Sequence, residues 1–390
     1  MSGAHPPPSP PGDNPTLEAL RNWHPRMLAN GVDYNDAEET LKRVESWDDW
    51  CRAWCATAAI HEDLAREAFG RGRRRTAAEA FLSASVTYHF AQFVWDEDLG
   101  QKQIAQDKKV ETFRAALGLL GEPIEWVEAP FEDTILPGFL RKPRGADRPP
   151  VVLIIAGLDS TKEEFYSLGG DFLARGMAVL AFDGPGQGEV HPHVKMRENY
   201  ESAVSAVIDF VLSRSDLDGE RIGVCGISTG GYYAPRAAAF DGRIRACVGV
   251  AGFHHMADCW DNMPLLTRKG FRHAWGAKDL DEARERSMAI TLKGVAAKIT
   301  CPLLIIHGAL DRIVPVSQGE AIVGEASGPK EFALFPDGNH VCNNIPYKYR
   351  PLAADWLGET LGSSGLTNYG LAPHGSKMRS NENKLGRSDL

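Results

Sequence analysis

The chain has 390 residues, with 43 Lys and Arg against 52 Asp and Glu, a formal net charge of −9. Hydrophobic residues make up 43% and charged residues 24%, the balance of a soluble globular protein long enough for more than one domain. That balance argues against a nucleic-acid or anionic-membrane surface, and no apolar run approaches the ~18–20 residues of a bilayer span.

The first 15 residues are Gly- and Pro-rich with no apolar core segment; they read as a disordered tail rather than a secretory signal. From Thr16 to Gly121, apolar residues recur at three- and four-residue spacing, as in Trp47, Trp50, Cys51 and Trp54, so residues 16–121 read as a helical domain. Ala77 to Trp95 is its most apolar helix, and Phe81, Tyr88, Phe90, Phe93 and Trp95 read as bundle core rather than pocket lining. The pattern changes near Pro123. Strand-like runs follow at Ile124–Val127, Ile135–Leu140, Val151–Ile155, Ala178–Phe182, Ile222–Cys225, Ala246–Val250, Leu303–Ile306 and Glu331–Phe335. From Val151 onward most are continuous apolar runs separated by crossover-length segments. Residues 122–362 therefore read as an α/β domain, a mostly parallel sheet flanked by helices, with an antiparallel edge from the first two strands. Residues 363–390 are rich in Ser, Gly and Asn and read as a second disordered tail.

Seven cysteines is an odd number, and Cys225, Cys247 and Cys301 lie inside apolar runs. Reduced thiols in a cytoplasmic protein explain this better than a disulfide framework. His191 and His193, and the adjacent His254 and His255, could suggest metal ligands, but neither set has a carboxylate in a recognised zinc spacing. No metal is expected.

Gly226-Ile227-Ser228-Thr229-Gly230 fits the G-x-S-x-G nucleophile elbow, with a strand before it and a helix predicted over Tyr232–Phe240 after it. A serine on a strained strand-to-helix turn projects its hydroxyl above the sheet, and small neighbours avoid a backbone clash. Such an elbow expects an acid and then a histidine, each after a later strand. Asp311 follows Leu303–Ile306 and His340 follows Glu331–Phe335, in the right order. Asp311 would orient His340, which would take the Ser228 proton. Asp337 reads as part of a Pro-Asp-Gly turn and His307 as a structural histidine. The oxyanion donors are expected to be the backbone N–H groups of Thr229 and of Leu158, on the loop after Val151–Ile155. Gly184-Pro185-Gly186-Gln187-Gly188 lacks a Walker Lys-Ser/Thr and reads as a loop closing near the pocket. His254, His255, Asp258 and Trp260 follow a core strand at the catalytic edge and are candidate substrate contacts.

The elbow, the run Gly157–Glu164, the run Asp183–Gly188 and the Asp311/His340 pair together resemble the α/β-hydrolase superfamily. Within it the chain is similar to the 2,6-dihydroxypseudooxynicotine hydrolase and polyketide-shortening hydrolase group, from about Asn22 to Leu361. The resemblance implies that the helical region is a cap that takes part in a homodimer. It also implies cofactor-free cleavage of a carbon–carbon bond beside a ketone in a small aromatic or polyketide-like molecule, with ester hydrolysis in relatives. One departure stands out. In the nicotine-pathway enzymes a glutamate beyond the strand after the elbow assists cleavage, whereas Ala246–Trp260 contains only Asp258. A carboxylesterase or lactonase, and a hydrolase-fold receptor without turnover, are the rival readings.

Overall fold

The computed structural model describes residues 15–363. The two predicted tails lie outside these residues, save for Pro15, which opens the first helix, and Ser363, whose backbone N–H donates to the Gly358 carbonyl. Five α-helices come first: α1 (Pro15–Ala29), α2 (Tyr34–Leu41), α3 (Trp50–Gly70), α4 (Arg74–Gln92) and α5 (Leu99–Leu117). Their core is aromatic, with Trp23, Trp47, Trp50, Trp54, Phe90, Phe93 and Trp95 in one buried cluster. The indole N–H groups of Trp50 and Trp95 donate to the carbonyls of Phe90 and Trp47, both at 2.9 Å, so burial of these polar tips is compensated. The helix predicted through Trp95 ends at Gln92. Past that end the Trp95 N–H still donates to the Gln92 carbonyl at 3.3 Å, and the Lys102 ammonium donates to the carbonyls of Gln92 and Trp95, helping to satisfy the helix terminus.

The strands are β1 (Ile124–Phe131), β2 (Thr134–Arg141), β3 (Pro150–Ile155), β4 (Ala178–Phe182), β5 (Asp218–Ile227), β6 (Ile244–Val250), β7 (Leu303–Gly308) and β8 (Lys330–Phe335). They form one sheet in the order β1-β2-β4-β3-β5-β6-β7-β8. The β1–β2 and β2–β4 pairs are antiparallel and all others parallel. The remaining helices are α6 (Tyr166–Leu173), α7 (Glu201–Leu212), α8 (Gly230–Phe240), α9 (Leu265–Trp275), α10 (Leu280–Ser287), α11 (Val316–Glu325) and α12 (Pro346–Thr360). Alternation along each strand divides the core between the two faces. Val151, Leu153 and Ile155 join the layer of α7 and α8, while Val152 and Ile154 join that of α6 and α12. This two-sided burial is why the central strands read as continuous apolar runs. Among the described residues, no helix is long and apolar enough to cross a membrane.

Buried charges bolt the helical region to the sheet domain. The Arg26 guanidinium on α1 makes two bonds to the Glu164 carboxylate (2.6 and 2.7 Å), one to Asp159 (2.9 Å) and one to the Ser160 hydroxyl (3.0 Å). Lys109 on α5, fully buried, reaches Thr161 at 2.7 Å and Glu163 at 3.1 Å. From the other side, Arg350 on α12 donates to the Ala29 carbonyl (3.0 Å) and to the Asn30 side chain (2.8 Å).

Candidate active site

The elbow turns where the packing permits no Cβ. A side chain at Gly226 would strike the Gly230 carbonyl group and approach the Ala234 Cβ to 2.7 Å, and one at Gly230 would strike the Ile155 carbonyl oxygen. Ser228 itself takes φ 58°, a left-handed conformation costing a non-glycine residue about 1–2 kcal/mol. Its N–H donates to the Val250 carbonyl at 2.8 Å, and its own carbonyl accepts from Gly231 N–H at 2.7 Å, so the strained turn is fixed on both sides. Gly226→Ala should lower stability by at least about 2 kcal/mol, because the atoms in its way are backbone. A urea melt showing wild-type stability would contradict this packing.

Ser228 Oγ lies 2.8 Å from His340 Nε2, and His340 Nδ1 lies 2.8 Å from Asp311 Oδ2. A carboxylate can only accept, so Nδ1 carries the proton and Nε2 is left to accept from the serine hydroxyl. The other Asp311 oxygen accepts from the backbone N–H groups of Ile313 (2.8 Å) and Val314 (2.9 Å). Burial pushes the Asp311 carboxyl up, but His340, His307 and the Val314 N–H outweigh it and hold the group below the usual carboxylate range. The chain after His340 is strained as well: Val341 and Cys342 both have positive φ (61° and 55°), an outlier for a β-branched residue. His307 donates to the Val314 carbonyl at 2.8 Å and does not line the space over Ser228, and Asp337 sits in the predicted turn, paired with Lys348.

The free space over Ser228 is about 40 Å³. Leu158, Thr229, Phe253, Phe271, Arg26 and Glu164 are among its walls. Leu158 and Thr229 are thus placed at the nucleophile, and among the described residues neither backbone N–H has a protein acceptor. Gln187, from the glycine-rich loop after β4, fixes this corner. Its amide N–H₂ donates to the carbonyls of Ala156 (2.9 Å) and Gly157 (2.8 Å), while its oxygen accepts from Gly184 N–H and the Tyr200 hydroxyl. The loop therefore acts through a side chain that sequence reading passed over. Its one polar residue among glycines, at the carboxyl end of a parallel strand, was the available signal.

The four candidate substrate contacts beyond β6 are a correction. None of His254, His255, Asp258 and Trp260 lines the space over Ser228. After Ala251, itself at φ 52°, only Phe253 faces the pocket. The next residues are drawn away by backbone pairing: the N–H groups of His254 and His255 both donate to Gln318, and the His254 carbonyl accepts from Leu292 N–H. His254 Nε2 meets Glu325 at 2.9 Å, Asp258 pairs with Lys293 at 3.3 Å, and Trp260 is buried against Phe271 and Trp275. Asp258 is therefore not positioned to replace an assisting glutamate. The carboxylates that do line the pocket are Asp159 and Glu164, both engaged by Arg26.

Glu163, Asp183 and Glu189 bring carboxylate oxygens within 4.8 Å of one another, a donor set suited to a hard cation. The chain supplies that cation itself. The Lys162 ammonium sits 2.8, 2.7 and 2.6 Å from the three groups. Burial alone would lower its pKa, but the three carboxylates more than offset this and raise it.

A family model described as esterase FrsA-like matches residues 35–287. The chain belongs to the FrsA-like esterase family. This FrsA-like chain is 33% identical over 349 residues to the 2,6-dihydropseudooxynicotine hydrolase of Paenarthrobacter nicotinovorans, covering 88% of this chain and 93% of that one. The crystal structure of 2,6-dihydroxy-pseudo-oxynicotine hydrolase superposes with a TM-score of 0.80 at 33% identity, over 87% of this chain and 96% of that one. The 20-hydroxy-prefusarin hydrolase of Gibberella moniliformis is 36% identical over 238 residues, 57% of each chain. The FrsA-like protein is thus an α/β-hydrolase, and its N-terminal helices are covered by the bacterial relative as well as its sheet.

Proposed function

We propose that the protein is a serine hydrolase that needs no cofactor and cleaves a carbon–carbon bond beside a ketone in an aromatic or polyketide-like substrate. The observation that carries this reading is the pair of 2.8 Å contacts linking Ser228 to His340 and His340 to Asp311, with Ser228 and His340 lining a pocket. Ser228 Oγ attacks the ketone carbon as His340 Nε2 takes its proton, and Asp311 stabilises the imidazolium. The Leu158 and Thr229 N–H groups hold the developing oxyanion. Collapse of the tetrahedral intermediate expels a carbanion equivalent, which His340 protonates. Water deprotonated by His340 then releases the acyl group as an acid and restores the serine. Support for carbon as leaving atom comes from the similar bacterial 2,6-dihydropseudooxynicotine hydrolase named above.

The family description as an esterase favours a second reading, in which the same groups expel an alkoxide or phenoxide. Matched acylphenols and phenyl acetates, compared by kcat/KM with product analysis by mass spectrometry, separate the two. Turnover of the ketone series to a free acid and a phenol is the expected outcome. Hydrolysis of esters alone would leave only the second reading.

A further inference from the structure

The space over Ser228 admits a reacting carbonyl and little more, so most of a substrate must lie elsewhere. Beside it is a second cavity of about 270 Å³, and the two share Leu158, Asp159 and Ser160 as a common wall. Its other walls include Lys102 and Gln106 from α5, His191 and Lys195 from the segment after β4, and His273 from α9. Gln106 is only 7% exposed; its side-chain oxygen accepts from Lys109 at 2.9 Å, but among the described residues its N–H₂ group has no partner. A buried amide donor left unmet on a cavity wall asks for an acceptor.

The charges agree with that donor. Asp96 and Asp159, the acids on the wall, are already matched by Arg272 (2.7 Å) and Arg26 (2.9 Å). Lys102 spends its hydrogens on backbone carbonyls and contributes field alone, whereas Lys195 makes a 3.0 Å bond to the His191 carbonyl and a 3.5 Å contact to His191 Nε2, and keeps a donor to spare. The His191 and His273 rings stack at 4.4 Å, with His191 Nε2 donating to the His273 carbonyl. Burial first, and then the charges of Lys102, His191 and Lys195, push His273 down to about 3, so its ring is neutral on this wall.

We infer that this cavity binds an acidic oxygen group, a carboxylate or phenolate, that accepts from Gln106 and Lys195. The group belongs either to the far arm of a substrate whose carbonyl lies at Ser228, which rests on the hydrolase reading, or to a separately bound acid, which does not.

Benzoate and its neutral isostere benzamide, titrated calorimetrically into the wild-type full chain, test the site without turnover. Benzoate should bind at least about tenfold tighter, and Gln106→Leu and Lys195→Met should each weaken it several-fold. Lys195 is exposed, so its variant keeps the test alive should Gln106→Leu fail to fold. Benzoate binding no tighter than benzamide, or unaltered in Lys195→Met, overturns the inference. A kcat/KM preference for 4-acetoxybenzoate over its methyl ester that collapses in the variants assigns the site to the substrate's own arm. Benzoate binding without such a preference assigns it to a separate acid. Benzoate binding by a protein that hydrolyses nothing would sink the hydrolase reading and leave the site standing.

Discussion

Ser228→Ala should lower kcat by about 10⁴–10⁶-fold and leave the melting temperature within about 2 °C of wild type. Among the described residues the serine hydroxyl makes one side-chain hydrogen bond, to His340, and the strained φ of 58° is held by the backbone bonds to Val250 and Gly231, which alanine preserves. Asp311→Asn is the sharper companion. Two backbone N–H groups converge on one oxygen of Asp311, so an asparagine must place its carbonyl there and turn its N–H₂ toward His340 Nδ1. Nδ1 then has to accept, the ring proton moves to Nε2, and the imidazole no longer accepts from Ser228. A loss of about 10⁴-fold in kcat with little change in KM follows from the wrong tautomer. Retention of even a tenth of wild-type turnover by either variant would mean that another group activates the nucleophile.

Arg26→Met should cost about 3–5 kcal/mol, because it leaves the Glu164 carboxylate buried without its main partner. In the wild type, burial pushes Glu164 up, but Arg26 and then His89 outweigh it and depress the carboxyl far below the unfolded value. A depressed carboxylate contributes stability above its unfolded pKa, near 4.3, and loses it as the pH falls toward the folded value. Wild-type stability should therefore be flat in this contribution from pH 7 to 5 and decline below. Without Arg26 the folded protein binds the proton more readily than the unfolded chain does, so the sign reverses and the variant should gain stability from pH 7 to 5. Denaturant melts at the two pH values read this difference directly. Activity should fall too, in kcat more than KM, since Arg26 also holds Asp159 and Ser160 beside the Leu158 amide. Arg26→Lys should rescue little, because an ammonium cannot reproduce the two-pronged bond to Glu164.

The nucleophile, acid and base could be found along the chain because each is marked by local chemistry. Ser228 needs small residues on both sides of a tight bend, Asp311 follows a strand whose burial on two faces writes an unbroken apolar run, and His340 follows the short, partly exposed strand β8 in the order the elbow demands. The fully buried central strands β3, β4 and β7 were legible for the same reason. Nothing comparable marked Arg26, which lies more than 130 residues from the carboxylate it grips. Nor did anything mark Lys162, whose ammonium fills what the acids alone would offer to a metal.

His254, His255, Asp258 and Trp260 were placed on the right edge of the sheet and still do not face the pocket, because Gln318 and Leu292 pull that segment the other way. Turn sterics and hydrophobic period act between near neighbours, so they are written in order along the chain. The direction in which a side chain points after a strand ends, and the company a buried charge keeps, depend on surfaces that meet only when distant helices dock.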